Sequence, residues 1–328
     1  MSDAAASSGR RRARSAGRHR AELGLFRIAA GALALLPRGA REGLARRLAL
    51  LAVRLGASRR RILLDNLAIA FPEKDPAEIA RIARDSAASL GEAFADFLEV
   101  SAMSEERIRS RIRVVGEENL RQARARGKGV FLLSAHFGGW ELGAIRAGLL
   151  GEPIAPVVRP LDNPLLEREL SRRRTRFGNR PIAKREAARD ILRALRRGET
   201  VAILVDQNVL AREAVFVPFF GRLAATTPAL ALFQLKTDAP VVPVFTWPEG
   251  SGRYRLEFEK PIDAEEFRAG GERDASVTRA TARYMEVTEA AIRKAPAAWL
   301  WVHNRWRTRP ENESGVGSPE SRLGNRGC

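Results

Sequence analysis

The chain has 328 residues and carries 57 Lys+Arg against 39 Asp+Glu, a formal net charge of +18 at pH 7. Apolar residues make up 45 % of it, which is enough for a substantial core and excludes a wholly disordered chain. Cys328 is the only cysteine, so a disulfide framework, a cysteine-rich zinc site and a cysteine–histidine nucleophile pair are excluded. The positive excess favours an anionic partner, which composition leaves open among nucleic acid, an anionic membrane face and an acidic protein.

The N-terminal part of the chain combines a basic leader with two apolar or amphipathic stretches. Residues 1–22 are rich in Arg, Ala, Ser and Gly, which predicts a disordered leader. Residues 23–36 are apolar apart from Arg27 and are too short for a standard bilayer span of about 20 residues. We predict a helix in the membrane interface, with a tilted span or a packed core helix as alternatives. Residues 38–61 place arginines beside leucines at helical spacing, which predicts a second membrane-associated helix or, alternatively, an ordinary surface helix.

Residues 62–310 have the pattern of one α/β domain, and the Gly/Ser/Glu-rich residues 311–328 are predicted to be a disordered tail. Short apolar runs alternate with helical patterns, which indicates a mixed, mostly parallel sheet flanked by helices. The predicted strands are 113–115, 129–134, 154–158, 200–205, 241–245 and 254–258. The predicted helices are 61–71, 77–99, 141–150, 163–178, 186–197, 226–236 and 275–294.

The strongest candidate site is the sequence Ser-Ala-His-Phe-Gly-Gly-Trp-Glu at residues 134–141. His136 follows a predicted buried strand, at the sheet edge where open α/β folds bind ligands. The loop predicts a contact in which Glu141 holds one ring nitrogen of His136 while the other nitrogen takes a proton from an alcohol. The alternative is that His136 is an ordinary loop histidine with a structural role. A metal site is not expected, since no second or third ligand is spaced nearby.

The spacing His136-x4-Glu141 after a buried strand resembles the His-x4-Asp/Glu signature of glycerolipid acyltransferases. The wider sequence resembles the late lipid A acyltransferases, the Kdo-dependent lauroyl/myristoyl transferases of lipopolysaccharide synthesis, over roughly residues 24–310. The resemblance implies a glycerolipid-acyltransferase-like core with an N-terminal membrane-associated helical segment at 23–61. It also implies acyl transfer from an acyl-carrier-protein or CoA thioester to a lipid hydroxyl. The matching blocks, in family order, are 66–73, 159–164, 206–207, 215–221 with 225–227, and 298–310.

In such a reaction His136 would be the general base and Glu141 its partner. The thioester carbonyl passes through an oxyanion, and the backbone N–H groups of Phe137, Gly138 and Gly139 are the candidate donors to it. No serine nucleophile is needed, because the acceptor brings its own hydroxyl.

The resemblance also implies a functional aspartate and a functional arginine outside the signature. Asp206 matches the aspartate, and Arg174 is the best match for the arginine, with Arg176 as the alternative. Arg174 would bind an acceptor phosphate or the donor's phosphopantetheine, and Asp206 would orient it. The alternatives are that the arginines lie on a solvated helix face and that Asp206 is a helix cap or turn residue. Arg159 lies at a strand end. Binding of a substrate phosphate and a structural salt bridge are equally weighted alternatives for it.

Two aromatic groups have both a functional and a structural interpretation. Phe216, Phe219 and Phe220, predicted to share one loop, either line an acyl pocket or belong to the core. A C-terminal stripe contains Trp299, Trp301 and Trp306 together with His303, Arg305 and Arg307, and it forms either a membrane-interface belt or core packing. His303 is not predicted to be catalytic.

The expected partners are an acyl carrier protein or CoA thioester, a glycolipid acceptor and an anionic membrane surface, with no cofactor. The expected location is the bacterial inner membrane, with the catalytic domain facing the cytoplasm. The Phe-Gly-Gly-Trp sequence after His136 departs from the lipid A enzymes, so phosphatidylinositol mannosides and aminolipids are alternative acceptors. Nucleic acid is not expected, because only 2 tyrosines and no recognition motif accompany the charge. A non-catalytic membrane scaffold is the remaining alternative.

Overall fold

The computed structural model describes residues 16–184, 187–268 and 272–310. The predicted tail at 311–328 and residues 1–15 of the predicted leader lie outside them. The described helices are α1 Ala16–Leu35, α2 Arg38–Leu55, α3 Ala57–Ala70, α4 Pro76–Glu99, α5 Glu105–Arg111, α6 Glu117–Ala125, α7 Trp140–Gly148, α8 Pro164–Thr175, α9 Ala187–Arg196, α10 Ala229–Thr237, α11 Glu265–Arg268 and α12 Arg273–Lys294. The described strands are β1 Ile112–Val115, β2 Val130–Ser134, β3 Ile154–Val158, β4 Ile182–Ala183, β5 Thr200–Leu204, β6 Val215–Phe219, β7 Arg222–Thr226, β8 Val241–Pro248 and β9 Tyr254–Phe258.

The main sheet has seven strands in the order β1-β9-β8-β2-β5-β3-β4. All neighbouring strands run parallel except β8 and β9, which are antiparallel. The prediction of a mostly parallel mixed sheet flanked by helices is therefore confirmed. The central strands β2, β5 and β8 are apolar on both faces, because helices cover both sides of the sheet.

The register of two central strands positions the site. In the parallel pair of β2 and β5, Ser134 lies opposite Leu204. His136 and Asp206 each follow two residues later, so the two side chains leave the sheet at the same edge. This is the edge at which open α/β sheets bind their ligands.

Residues 215–226 form an antiparallel hairpin that the sequence did not predict. Its turn is Phe220–Gly221, with φ of 53° and 71°. Phe219 and Phe220 are buried in the core, which confirms the core alternative for these two residues. None of the three phenylalanines lines the cavity described below, so the acyl-pocket alternative finds no support. Thr226 ends β7 and does not begin a helix, because the chain turns at Pro228 before α10 starts.

The N-terminal segment forms three helices. The first, α1, begins at Ala16, so residues 16–22 are helical where the sequence predicted disorder. Contacts with the domain order them: the side chain of Asn163 donates to the carbonyl of His19 (3.1 Å) and to Glu22 (2.9 Å). Gly56 divides the single helix predicted at 38–61 into α2 and α3. Among the described helices, none combines the length and the hydropathy that a membrane crossing requires.

A buried ion network attaches α2 to the domain. Arg111 contacts both Asp96 (2.5 Å) and Glu99 (2.9 Å), and Arg41 of α2 lies 2.9 Å from the same Glu99. The hydroxyl of Tyr254 donates to Asp96 at 2.7 Å. The network joins α2, α4, α5 and β9. Removing one of its members would leave a buried charge without a partner, which is strongly destabilising.

Candidate active site

His136 and Asp206 form a hydrogen-bonded pair at the carboxyl ends of β2 and β5. The His136 Nδ1 atom lies 2.9 Å from Asp206 Oδ1, and the backbone N–H of His136 donates to Oδ2 at 2.9 Å. The indole N–H of Trp299 donates to the same Oδ2 at 2.8 Å. The carboxylate partner of His136 is therefore Asp206, and the prediction that Glu141 holds the ring was wrong. Strand order explains the difference, because β2 and β5 are neighbours while Glu141 lies on the first turn of α7.

The pair shifts both pKa values in the direction of an ion pair. Burial alone would raise the pKa of Asp206, but the His136 ring and the hydrogen bonds from His136 and Trp299 lower it to about 2. Burial alone would lower the pKa of His136, but Asp206 and, more weakly, Glu141 raise it above the ordinary value of 6.5. The carboxylate at Nδ1 selects the tautomer with the proton on that nitrogen, which leaves the lone pair on Nε2.

The second ring nitrogen of His136 faces an exposed amide. The Gln207 Nε2 atom lies 3.3 Å from His136 Nε2 and serves as a donor to its lone pair. Gln207 belongs to the matching block 206–207, but the sequence assigned it no role, although its position directly after Asp206 was a usable signal. An incoming hydroxyl would replace this amide at the basic nitrogen.

Glu141 and Arg174 form a second pair beside the first. The Arg174 Nε atom lies 3.0 Å from Glu141 Oε2, and Nη2 lies 2.6 Å from Oε1, a bidentate contact. Glu167 lies 3.9 Å from the same guanidinium. The predicted pairing of Asp206 with Arg174 was therefore wrong, because the two carboxylates have exchanged partners relative to the prediction. Both members of the pair line the same cavity as His136.

The two other candidate arginines differ in position. Arg159 is exposed and lines the cavity, and it makes no ion pair with any residue in the described part of the chain. The alternative of a structural salt bridge at Arg159 therefore finds no support there. Arg176 lies outside the cavity lining and donates to the carbonyl of Val100 at 2.7 Å, so its contact is structural.

Two of the three backbone N–H groups predicted to stabilise an oxyanion are already used. The N–H of Phe137 donates to the carbonyl of Ala135 at 2.7 Å, and that of Gly138 donates to Ala298 at 2.8 Å. The prediction was wrong for these two groups, because Phe137 closes a tight turn within its own loop and Gly138 is bonded to the C-terminal segment. For the N–H of Gly139 the role stays a prediction.

The two glycines after Phe137 allow the loop to pack closely on the sheet. Gly138 has φ of 55°, and a Cβ atom there would lie 1.8 Å from the carbonyl oxygen of Thr246. A Cβ atom on Gly139 would lie 2.8 Å from the ring of Tyr254. Larger residues would push the loop, and His136 with it, away from β8 and β9.

A cavity of about 910 Å³ opens at these side chains and extends along the sheet. Its polar part contains His136, Glu141, Arg159 and Arg174. Its apolar part includes alternate residues of the central strands, which share one face of the sheet beneath α7. These apolar lining residues include Leu132, Ile154, Ala202, Val244 and Leu256, with Gly143, Ala144 and Ala147 from α7. Such a lining is suited to a hydrocarbon chain.

The C-terminal segment covers one side of the site. Trp299, Trp301 and Trp306 are buried in the core, so core packing is the correct one of the two alternatives and the membrane-interface belt is not. His303 lines the cavity, and its Nε2 atom accepts a hydrogen bond from the N–H of Asn208 at 2.9 Å. Within the described residues, no group of three or more His, Cys, Asp or Glu side chains is arranged to hold a metal ion.

The chain is similar to known proteins over most of its length. Residues 18–308 match the model of a family described as bacterial lipid A biosynthesis acyltransferase. The chain is 32 % identical over 269 residues to the lipid A biosynthesis lauroyltransferase of Escherichia coli (strain K12), covering 80 % of this chain and 83 % of the relative. It is 28 % identical over 284 residues to the lipid A biosynthesis myristoyltransferase of the same strain, with coverages of 86 % and 85 %. The solved 1-acyl-sn-glycerophosphate acyltransferase PlsC from Thermotoga maritima matches 80 % of this chain and 100 % of its own at 14 % identity, with a TM-score of 0.35.

Proposed function

Because this chain belongs to the bacterial lipid A biosynthesis acyltransferase family and is an acyltransferase, we propose that it moves a fatty acyl chain from a thioester onto a hydroxyl of a lipid A precursor. The observation that carries this proposal is the His136–Asp206 pair at the polar end of a largely apolar cavity. The pair supplies a base, and the cavity supplies space for a hydrocarbon chain.

The reaction follows from the tautomer of His136. Its Nε2 atom takes the proton of the acceptor hydroxyl while the hydroxyl oxygen bonds to the thioester carbonyl carbon. The carbonyl oxygen takes up the displaced electron pair and becomes an oxyanion. Asp206 stabilises the imidazolium that forms. When the oxyanion collapses, the carbon–sulfur bond breaks, and the imidazolium returns its proton to the leaving thiolate.

The acyl chain of the donor lies in the apolar part of the cavity, between α7 and the sheet. This places its carbonyl group at the polar end, beside His136. The apolar surface available there favours a long saturated chain over a short one, since each buried methylene contributes about 0.8 kcal/mol.

The exposed Arg159 and the clamped Arg174 provide positive charge at the polar end. We assign Arg159 to a phosphate of the acceptor or of the donor's phosphopantetheine, because its guanidinium makes no ion pair with another described residue. Glu141 then acts as a positioning residue that holds Arg174 through its bidentate contact.

We also propose a class of acyl donor and a cellular location. An acidic acyl carrier protein is favoured over CoA as donor, because a chain with a net charge of +18 steers an acidic protein toward it. The proposed location is the cytoplasmic face of the bacterial inner membrane, where α1 and α2 contact anionic lipid.

Replacement of His136 tests the mechanism. We expect purified His136→Ala to lose about 10²- to 10⁴-fold in turnover of a lauroyl or myristoyl thioester with a lipid A precursor, since the base is gone. Circular dichroism and thermal melting verify that the variant is folded. His19→Ala, a histidine change on α1 outside the cavity lining, is the matched control and should keep near-normal turnover. Near-normal turnover by His136→Ala would contradict the mechanism.

The acceptor is tested in cells. Mass spectrometry of lipid extracts from cells with and without the protein should show one additional acyl chain on lipid A when the protein is present. A gain confined to another glycolipid or to an aminolipid would contradict the acceptor while leaving the acyltransferase reaction intact.

A further inference from the structure

The loop that follows β5 holds two imidazoles with three successive residues. Asp206 holds Nδ1 of His136, and the Gln207 amide lies 3.3 Å from Nε2 of the same ring. The next residue, Asn208, donates its backbone N–H to Nε2 of His303 at 2.9 Å. Both rings line the same cavity. The proposed mechanism uses only His136 and leaves the role of His303 open.

The hydrogen bond from Asn208 defines the protonation of His303. A ring nitrogen that accepts a peptide N–H carries no proton, so the ring is neutral and its single proton is on Nδ1. This Nδ1–H has no acceptor among the described residues, and the ring is only partly buried at the cavity wall. His303 is thus a hydrogen-bond donor without a protein acceptor in the described part of the chain.

The backbone on both sides of His303 is fixed by other elements. The Asn66 side chain of α3 donates to the carbonyl oxygens of Trp301 and His303, each at 2.7 Å. The Asn208 side chain accepts from the N–H of Thr308 at 3.1 Å and donates to its hydroxyl at 3.0 Å. A donor held in this way does not need to reorganise during a reaction, which is the property that makes oxyanion stabilisation effective.

The charges around His303 agree with a neutral ring. Burial lowers its pKa, Asp206 acts in the opposite direction, and His136, Arg305 and Arg59 lower it further, so that the net shift is downward. Protonation of His136 during the reaction therefore disfavours protonation of His303.

The reaction requires a hydrogen-bond donor to the oxyanion. The first two backbone N–H groups after His136 do not supply it. Those of Phe137 and Gly138 are already bonded to backbone carbonyls. We propose that His303 is a catalytic residue whose Nδ1–H donates a hydrogen bond to the thioester carbonyl oxygen as that oxygen becomes an oxyanion. This inference rests on the proposed acyl transfer and adds the group that stabilises its intermediate.

Two substitutions test this role by turnover. His303→Ala should lower kcat about 10²- to 10³-fold with little change in KM, because the bond strengthens only as charge develops. The acidic limb of the pH profile should not move, since it belongs to His136. His303→Asn places an amide N–H near the former Nδ1 position and should recover part of the lost kcat. A normal kcat with a raised KM for His303→Ala, or an Asn variant no better than the Ala variant, would overturn the proposal.

The tautomer is measured without turnover. The chain has 3 histidines, so ¹⁵N-histidine labelling gives a simple spectrum, and His303→Ala assigns the signals of residue 303. At neutral pH we expect a protonated Nδ1 and an unprotonated Nε2, and a proton on Nε2 would overturn the inference. Failure of the proposed function is a different result, namely no acyl transfer by the wild-type protein from any thioester.

Discussion

At the residue scale, two carboxylates near one histidine have separate tasks. Asp206 contacts His136 directly, whereas Glu141 contacts Arg174 and reaches His136 only through its charge. The sequence identified all four side chains but paired them wrongly. A spacing of five residues suggests a local contact between His136 and Glu141, and nothing in the sequence states that the strand before Asp206 lies beside the strand before His136.

The pH dependence of activity distinguishes the two carboxylates. A general base must be neutral, so kcat/KM rises with pH as His136 loses its proton, and its raised pKa places this limb above 6.5. Asp206→Asn removes the stronger of the two nearby negative charges. The limb should therefore move to lower pH, while kcat falls roughly 10²- to 10⁴-fold because the imidazolium loses its partner.

Glu141→Gln is the matched comparison, since it also replaces a carboxylate by an amide. It should move the limb less than Asp206→Asn and should raise KM, because Arg174 loses its anchor. Measuring pH–rate profiles of both variants checks this order. A larger shift for Glu141→Gln would contradict the assignment of Asp206 as the partner of His136.

At the element scale, the cavity depends on how α7 packs on the sheet. A Cβ atom on Gly143 would lie 1.9 Å from the hydroxyl oxygen of Thr246, so glycine lets this helix approach β8. Ala144 and Ala147 follow on the same helix and line the cavity. Small residues at these positions leave the space between helix and sheet to a ligand.

Filling this space should change the preferred acyl chain. Ala144→Leu adds a branched side chain to the cavity wall, so we expect the preference among acyl thioesters to shift toward shorter chains, with shorter donors turned over at near wild-type rates. The same change at Ala125, an exposed position at the end of α6, is the control and should leave the preference unchanged. Competition assays with mixed chain lengths measure the effect. An unchanged preference for Ala144→Leu would place the acyl chain elsewhere.

The predicted elements were accurate where the local sequence carries a clear pattern. Strands β3 and β9 were predicted with the observed bounds, because an apolar run and an alternating run are direct signals. The β6–β7 hairpin was missed because Pro218 lies inside β6 and because the turn has Phe220, not Asn or Gly, at its first left-handed position. The N–H of Phe220 donates to Glu289 of α12, a distant contact that no local pattern contains.

At the scale of the whole molecule, the positive charge is paired with carboxylates in one part of the chain and exposed in another. Residues 167–197 are rich in arginine, and much of their charge is paired within the domain: Arg173 contacts Glu169 (2.8 Å), and Arg197 contacts Glu199 (2.7 Å). In α2, by contrast, Arg47 and Arg54 are exposed. The leucines predicted to form the apolar face of this helix are exposed as well, at positions 44, 48, 51 and 55. An ordinary surface helix would bury such a face, so this one favours a lipid surface as its partner.

Vesicle binding tests the α2 surface. The protein should sediment with vesicles of phosphatidylglycerol and phosphatidylethanolamine, more weakly at high salt, and Leu48→Glu with Leu51→Glu should weaken binding by about tenfold or more. Leu223→Glu with Leu232→Glu changes two other exposed leucines by the same charge and should bind as the wild type does. Equal losses in both double variants would show that net charge alone, and not the α2 surface, determines binding.

The attachment of the C-terminal segment has a consequence for the order in which the enzyme is made. The N–H of Leu300 donates to the carbonyl of His136 at 3.1 Å, and Trp299 completes the hydrogen bonds of Asp206. The same segment is held by Asn66 of α3, a helix synthesised more than 200 residues earlier. The helices with the exposed leucines therefore leave the ribosome long before the catalytic loop can be fixed. Contact with lipid can precede catalytic competence, and a nascent chain stays inactive until its last described segment docks.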